Sequence, residues 1–451
     1  MARPGSERAT NAWPRAASAT GEPLGIDFGA LSDMALYRAS DHPLTHRTAL
    51  EDHMFGTVGT LFSPRPVVTL YDLTNTYSGG EASGQPKARR GHSRERRSDA
   101  PPLTLGAVPA GGGFPRRTGI FPGNVAGART LETMLASLEV PGGGTVVMDR
   151  GIATEENLAW MRARGYVYPV VSRSSTRVFD PDVETATVTT ASNGAVSACL
   201  DPVDGREEDG TPYGEVFPRC HSTARETKET GLITHFRKRF EEGLRALHDG
   251  LSKPRTRKTL THVQRGIGRL RKENAVVARH YTVTVTPDPT NGRAVAIAWE
   301  LDPSEGSMLR KPGVYSLRSN CLDWDAEAMW KTHATLTDVE SVFRSPRSEL
   351  GLRPIHHHRE RRADGHLFIS VIAYRAIQVL RTRMAQRGMT ASWTAVRNVL
   401  RSLPRVTTAF ARPDGRRVRV RNTALPNADR AAVYQAMRIA PPAPNPRRTV
   451  V

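Results

Sequence analysis

The stretch Val67–Tyr77, VVTLYDLTNTY, sets the reading of the chain. A β-branched apolar run ends in Tyr71-Asp72 and passes directly into Leu73-Thr-Asn-Thr76, the pattern of a buried strand with one acid near its tip. Gly144–Arg150, GTVVMDR, repeats the design: a short apolar strand, then Asp149, then a glycine turn before a helical pattern. A third acid, Glu340, falls in the helical segment Leu336–Arg344. Carboxylates from two strands and one helix are the oxygen ligands that a pair of divalent cations takes in phosphoryl transfer. Strand-end aspartates also cap turns, so Asp72 or Asp149 taken alone has a purely structural alternative.

The bulk composition narrows the partners. The chain has 451 residues and a formal net charge of +19, with arginine spread along its length, which favours a polyanion such as DNA or RNA over an acidic-surface role. An Arg-rich composition without any such partner is the competing explanation. Cys199, Cys220 and Cys321 are far apart and form no C-x-x-C pair, so neither a disulfide framework nor a cysteine zinc site is indicated. The amino terminus lacks the apolar core of a secretory signal. The most apolar later segment, Leu367–Leu380, is short and interrupted by Arg375, which makes it a core helix and not a membrane span. A cytoplasmic, nucleoid-associated protein with no membrane partner is expected.

Taken in order, residues 1–30 read as a disordered lead rich in Ala, Ser, Pro and Arg. Residues 31–66 give two short helices split at Asp41-His-Pro43. Residues 67–172 hold the Asp72 strand, the basic loop 78–100, a hairpin of Leu103–Val108 and Phe114–Phe121, the helix Ala126–Leu138, the Asp149 strand, the helix Thr154–Arg164 and the strand Tyr166–Ser172, where Pro169 suggests an edge. Residues 173–312 change texture to Val/Thr-rich runs around a charged helical arm, in which Leu232, Phe236, Phe240 and Leu244 form one apolar stripe. Residues 313–390 return with a strand, the Glu340 helix and a long helix whose Leu367, Val371, Ala373, Tyr374 and Ile377 should cover the sheet. Residues 391–451 give a further helix, a basic hairpin and a tail.

Three basic regions are candidates for phosphate contacts: the loop bearing Lys87, Arg89, Arg90 and Arg94, the cations Arg344 and Arg347 beside Glu340, and the helix face from Arg265 to Arg279. Each has a solvated-surface alternative, and Glu340–Arg344 is also an ordinary helix ion pair. His356-His-His358 has no acid or cysteine at ligand spacing and reads as a polar or phosphate-contacting loop.

The order β-β-β-α-β-α-β describes an α/β (α+β) protein, a mixed sheet flanked by helices, and it is the order of the RNase H-like fold. In that fold the first and fourth strands are neighbours, which would bring Asp72 beside Asp149. Spacing alone does not show this.

YDLTNTY, GHSRERRSDAPPLTLGAV, GFPRRTGIFPGN, VVMDRGIATEENLAWMRARGYVYPVVS, GVYSLRSN and TDVESVFRSPRSELGLRPIHHHRERRADGHLFISVIAY, in this order between Ala30 and Ile439, resemble a bacterial insertion-sequence DDE transposase of the IS-four-like group. That group places a large β-rich insertion between its second Asp and its Glu. The resemblance implies that Asp72, Asp149 and Glu340 are the catalytic and metal-holding triad, with two Mg²⁺ ions (Mn²⁺ substituting), and that the partners are element ends and target DNA, bound by a homodimer. There are departures: His333 stands where Tyr is common, Leu336 where Arg occurs, and Arg347 replaces Lys. Pro346 would remove a helix hydrogen bond at a cost of about 3 kcal/mol unless the helix breaks there. Relatives carry a folded DNA-end-binding region ahead of the catalytic domain, so the short lead here suggests a truncated copy. Two functions follow as expectations: Mg-dependent cleavage and strand transfer of insertion-sequence DNA, or an impaired remnant that only binds DNA.

Overall fold

The computed structural model describes residues 4–18, 20–61, 68–80, 82–91, 99–110, 113–138, 144–174, 176–190, 194–207, 209–254, 259–335, 349–401, 405–441 and 447–450. The chain is a mixed α/β protein with several antiparallel sheets. It divides into two compact units: Met1–Asn157, Arg164–Tyr166 and Thr335–Val451 form the first, and Leu158–Ala163 with Val167–Ala334 form the second.

The first unit is built on a four-stranded sheet. Strands β1 (Val68–Tyr77), β2 (Pro102–Ala110) and β3 (Phe114–Pro122) form an antiparallel meander, and β4 (Thr145–Met148) lies parallel to β1 on its other side. A hairpin can join antiparallel strands, whereas β4 needs a crossover, supplied by the helical turn Gly127–Thr130 and the helix Leu131–Ala136. The helix Glu360–Ala385 covers this sheet with Leu367, Val371, Tyr374 and Ile377, all buried against Leu103, Leu105, Ala107 and Val147. This is the stripe expected from its spacing, and Ala373 packs at its margin. Arg375 on the same helix is also buried. Its guanidinium donates to the carbonyls of Glu51 and Pro115, and burial pushes its pKa down to about 10. Among the described residues no helix is long and apolar enough to cross a membrane.

Three local expectations are corrected in this unit. The pair of helices near the start is Asp33–Thr45 and Arg47–Leu61, so the break falls at His46 and not at Asp41-His-Pro43. Pro43 sits in the last turn, where its missing N–H forfeits one bond and the helix ends two residues later. The lead contains a helix, Glu7–Ala17, capped by the Ser6 hydroxyl. Its first-turn acid is held at a distance in sequence: His357 Nε2 lies 2.8 Å and His366 Nδ1 3.4 Å from Glu7 Oε1. Burial would raise the Glu7 pKa, but these contacts outweigh it and hold the acid well below the usual carboxylate range. At the other end, the expected tail contains the helix Ala428–Met437. Its Val433 and Ala436 join Trp393 and Val396 in the core. Strand β14 (Arg447–Val450) then pairs with β13 (Arg417–Thr423), which forms the anticipated basic hairpin with β12 (Arg405–Ala411).

The second unit contains a five-stranded antiparallel sheet. Its strands are β5 (Pro169–Val171), β6 (Ala186–Thr190), β7 (Gly194–Arg206), β8 (Pro212–Ser222) and β11 (Val314–Ser319), in the order β5-β11-β8-β7-β6. Pro169 does lie on an edge strand, but β5 pairs with β11 and not with the sheet of the first unit, correcting the continuous mixed sheet expected from element order. The stretch expected as an insertion, 173–312, therefore shares its sheet with β5 and β11. The arm is the helix Thr223–Gly250 packed with Leu260–Glu273 and with the hairpin of β9 (Tyr281–Pro287) and β10 (Ala294–Leu301). Phe240, Leu244, Val263, Ile267 and Ile297 form their core, with Phe236 at its edge. Leu232 is exposed, so the stripe stops one turn short of the expected start.

Two buried acids brace this unit. Glu215 takes Arg162 at 3.1 Å, Arg318 at 2.7 Å and the Tyr168 hydroxyl at 2.5 Å. Glu229 accepts from Arg225 Nε at 2.9 Å, from Arg177 Nη2 at 3.0 Å and from the Gly313 amide at 2.9 Å. Gly313 is required there: φ is +81° and a Cβ would stand 2.8 Å from the Ser222 carbonyl oxygen.

Candidate active site

The site begins with strand register. β1 and β4 pair in parallel from Val68↔Thr145 to Tyr71↔Met148, so positions 72 and 149 come next; β4 ends there, but β1 runs on to Tyr77, so Asp72 lies inside its strand and not at the tip expected from sequence. Across β1 on the other side, Asp72 is registered with Ala107. The apolar residues beneath, Tyr71, Met148 and Ala107, are buried, and the Tyr71 hydroxyl is hydrogen-bonded to Thr130. Asp149 itself is half-buried. Its carbonyl accepts the amides of Ile152 at 2.9 Å and Ala153 at 3.3 Å, turning the chain sharply at the strand end.

No family model matches the sequence, and no curated protein matches it. The chain is similar to a piggyBac transposase solved by cryo-EM in a synaptic complex with hairpin DNA. The TM-score is 0.34 and the identity 9%, over 85% of this chain and 65% of that one, so this chain spans just under two thirds of the matched length.

The turn after Asp149 is fixed by a residue that sequence reading did not single out. Asn157 Nδ2 donates to the Ile152 carbonyl at 2.7 Å and to the Ala128 carbonyl at 3.0 Å, while its amide takes a cap from Thr154 Oγ1 at 3.2 Å. It links the β4 exit to the helical turn Gly127–Thr130. The sequence places it only inside the expected helix Thr154–Arg164.

The remaining expected site residues divide sharply. Glu340, Arg344 and Arg347, with Pro346, lie outside the described residues, as does Arg94. The segment after them returns to the end of β1: the Ile355 amide donates to Tyr77 O at 2.9 Å and Gly79 donates to Ile355 O at 2.7 Å. Lys87 is partly buried and already ion-paired. Its ammonium lies 2.6 Å from Asp364 and 3.0 Å from Glu360, tying the loop to the Glu360–Ala385 helix. Arg89 and Arg90 are exposed, and Arg89 Nε donates to the Pro86 carbonyl at 2.7 Å. His357, expected in a polar loop, is turned inward: it contacts Glu7 and lies edge-on to Tyr37 at 5.7 Å.

In the second unit, Arg265, Arg269, Arg271, Lys272 and Arg279 are exposed, while Val263 and Ile267 on the same helix face the core. Among these cations, Arg269 has a weak 3.9 Å pair with Glu273. The face can therefore meet a phosphate backbone without first breaking a buried ion pair.

Proposed function

We propose that this chain is a DNA-cleaving and strand-transferring enzyme of the DDE transposase type, with an RNase H-like catalytic sheet. Asp72, Asp149 and Glu340 would hold Mg²⁺. The observation that carries the reading is the parallel register of β1 and β4, which sets positions 72 and 149 side by side. A net charge of +19 suits a DNA substrate. Asp149, half-exposed at a strand end, offers the hard oxygen donors that Mg²⁺ prefers. When bound, the two ions supply an activated water or 3′-hydroxyl and stabilise the leaving oxygen. The protein's own part is to present carboxylates on a rigid strand pair, to hold the turn beyond Asp149 through Asn157, and to position the duplex with exposed cations.

Incubation with supercoiled plasmid tests the reading. Nicked circles are expected with Mg²⁺ or Mn²⁺ and none after chelation with EDTA. Retention of DNA without nicking under either metal would leave a DNA-binding remnant as the function.

A second measurement addresses the binding surface. Replacing Arg265, Arg271 and Lys272 with Gln is expected to flatten the dependence of log K on log salt by about 0.9 for each phosphate that is no longer neutralised. Anisotropy titrations across a KCl series on two unrelated duplexes read both slope and preference. An unchanged slope would return this face to plain solvent exposure.

A further inference from the structure

Three side chains outside the carboxylate strands converge inside the first unit: Glu7 from the amino-terminal helix, His357 from the segment returning to β1, and His366 from the Glu360–Ala385 helix. One ligand-capable atom from each lies within 4.8 Å of the other two. We propose that Glu7, His357 and His366 form a binding site for a transition-metal dication of the Zn²⁺ class, separate from the Mg²⁺ carboxylates and structural in effect.

The donor set favours that class of ion. Two imidazoles and one carboxylate are the borderline ligands that Zn²⁺ accepts, whereas Mg²⁺ takes oxygens and waters. The spacing is close to what such an ion needs. Bonds of about 2.0–2.1 Å in tetrahedral array put neighbouring ligands about 3.3 Å apart. The observed separations from Glu7 Oε1 are 2.8 Å to His357 Nε2 and 3.4 Å to His366 Nδ1. For the whole set, one ligand-capable atom from each residue lies within 4.8 Å of the others.

The pocket is also shielded. Side-chain exposure is 8% for His357, 13% for His366 and 16% for Glu7. Hydrogen bonding alone leaves the set unbalanced, because one carboxylate oxygen serves both rings while the other nitrogen of His366, Nε2, is buried without a hydrogen-bond partner. A water would be needed as the fourth ligand, and the metal would clamp the Glu7–Ala17 helix to the helix that covers the sheet.

The test uses untagged full-length protein carrying Asp149→Asn, so that the proposed Mg²⁺ site is weakened as a competitor, stripped with EDTA and titrated calorimetrically with ZnCl₂ in millimolar MgCl₂. One Zn²⁺ per chain is expected, with a rise in melting temperature on binding. Glu7→Gln, which preserves the size of the side chain, is expected to weaken binding by about tenfold or more, and His357→Gln with His366→Gln to abolish it. Circular dichroism in EDTA identifies any variant that has lost its fold, and Glu7→Gln then decides. Absence of stoichiometric binding, or wild-type affinity in Glu7→Gln, overturns the site. Neither result bears on Mg-dependent nicking, which is measured separately.

Discussion

Asp149→Asn is expected to bind DNA as tightly as the parent and to nick it at least about a thousandfold more slowly. On the proposed function it removes one of the carboxylates that would hold Mg²⁺, and a contribution of about 4 kcal/mol to the transition state corresponds to that factor. The substitution is nearly isosteric, and the turn beyond the strand rests on the Asp149 carbonyl and on Asn157, not on the carboxylate. The melting temperature should therefore stay where it is. Asp72→Asn and Glu340→Gln are expected to behave alike. Plasmid nicking with filter-binding controls measures both properties, and full cleavage by any of the three variants would remove that residue from the triad.

The second large effect is on stability. Glu229→Gln is expected to destabilise the second unit by about 3 kcal/mol, because it leaves Arg177 and Arg225 facing a neutral amide at a nearly buried position. The effect depends on pH in a definite sense. Burial favours the neutral acid, yet the hydrogen bonds from Arg177, Gly313 and Arg225 prevail and lower the Glu229 pKa below its ordinary 4.5. A depressed folded-state pKa stabilises the protein above the unfolded value and loses that contribution as pH falls through the folded one. Wild type and variant should thus differ most near neutrality and converge in acid. Denaturant melts at a series of pH values check this, and a gap that widens on acidification would contradict it.

Much of the fold was legible because period and punctuation agree locally. The strands expected at Leu103–Val108 and Phe114–Phe121 pair as a hairpin, the helix expected from Thr154 forms, and the Leu367–Ile377 stripe covers a sheet, each decided by residues close in sequence. Partner choice was not legible. Pro169 marks an edge strand but says nothing about which sheet owns that edge, and β5 pairs across nearly the whole unit with β11. The candidate site was half legible: two apolar strands each leading into an Asp could be read, but not that β1 runs on to Tyr77 past Asp72, and their adjacency needed the parallel register. Charged residues were the least legible. Lys87 looked like one cation in a basic run until Glu360 and Asp364, far along the chain, came to face it. Glu7 looked like part of a low-complexity lead, since composition registers apolar content and not a docking contact to two distant histidines.

The pairing of β5 with β11 has an entropic consequence. Ser319 is registered opposite Pro169, so the strand that enters the second unit and one near its exit are neighbours. Unfolded, the intervening chain is a loop of about 150 residues, and closing it would cost the first unit roughly 4 kcal/mol in chain entropy. Once folded, it spans one interstrand spacing of about 4.8 Å and costs little more than a hairpin turn. The large excursion between β4 and the Glu360–Ala385 helix thus becomes thermodynamically short. The first unit can then assemble from two distant halves of the sequence as though they were nearly continuous.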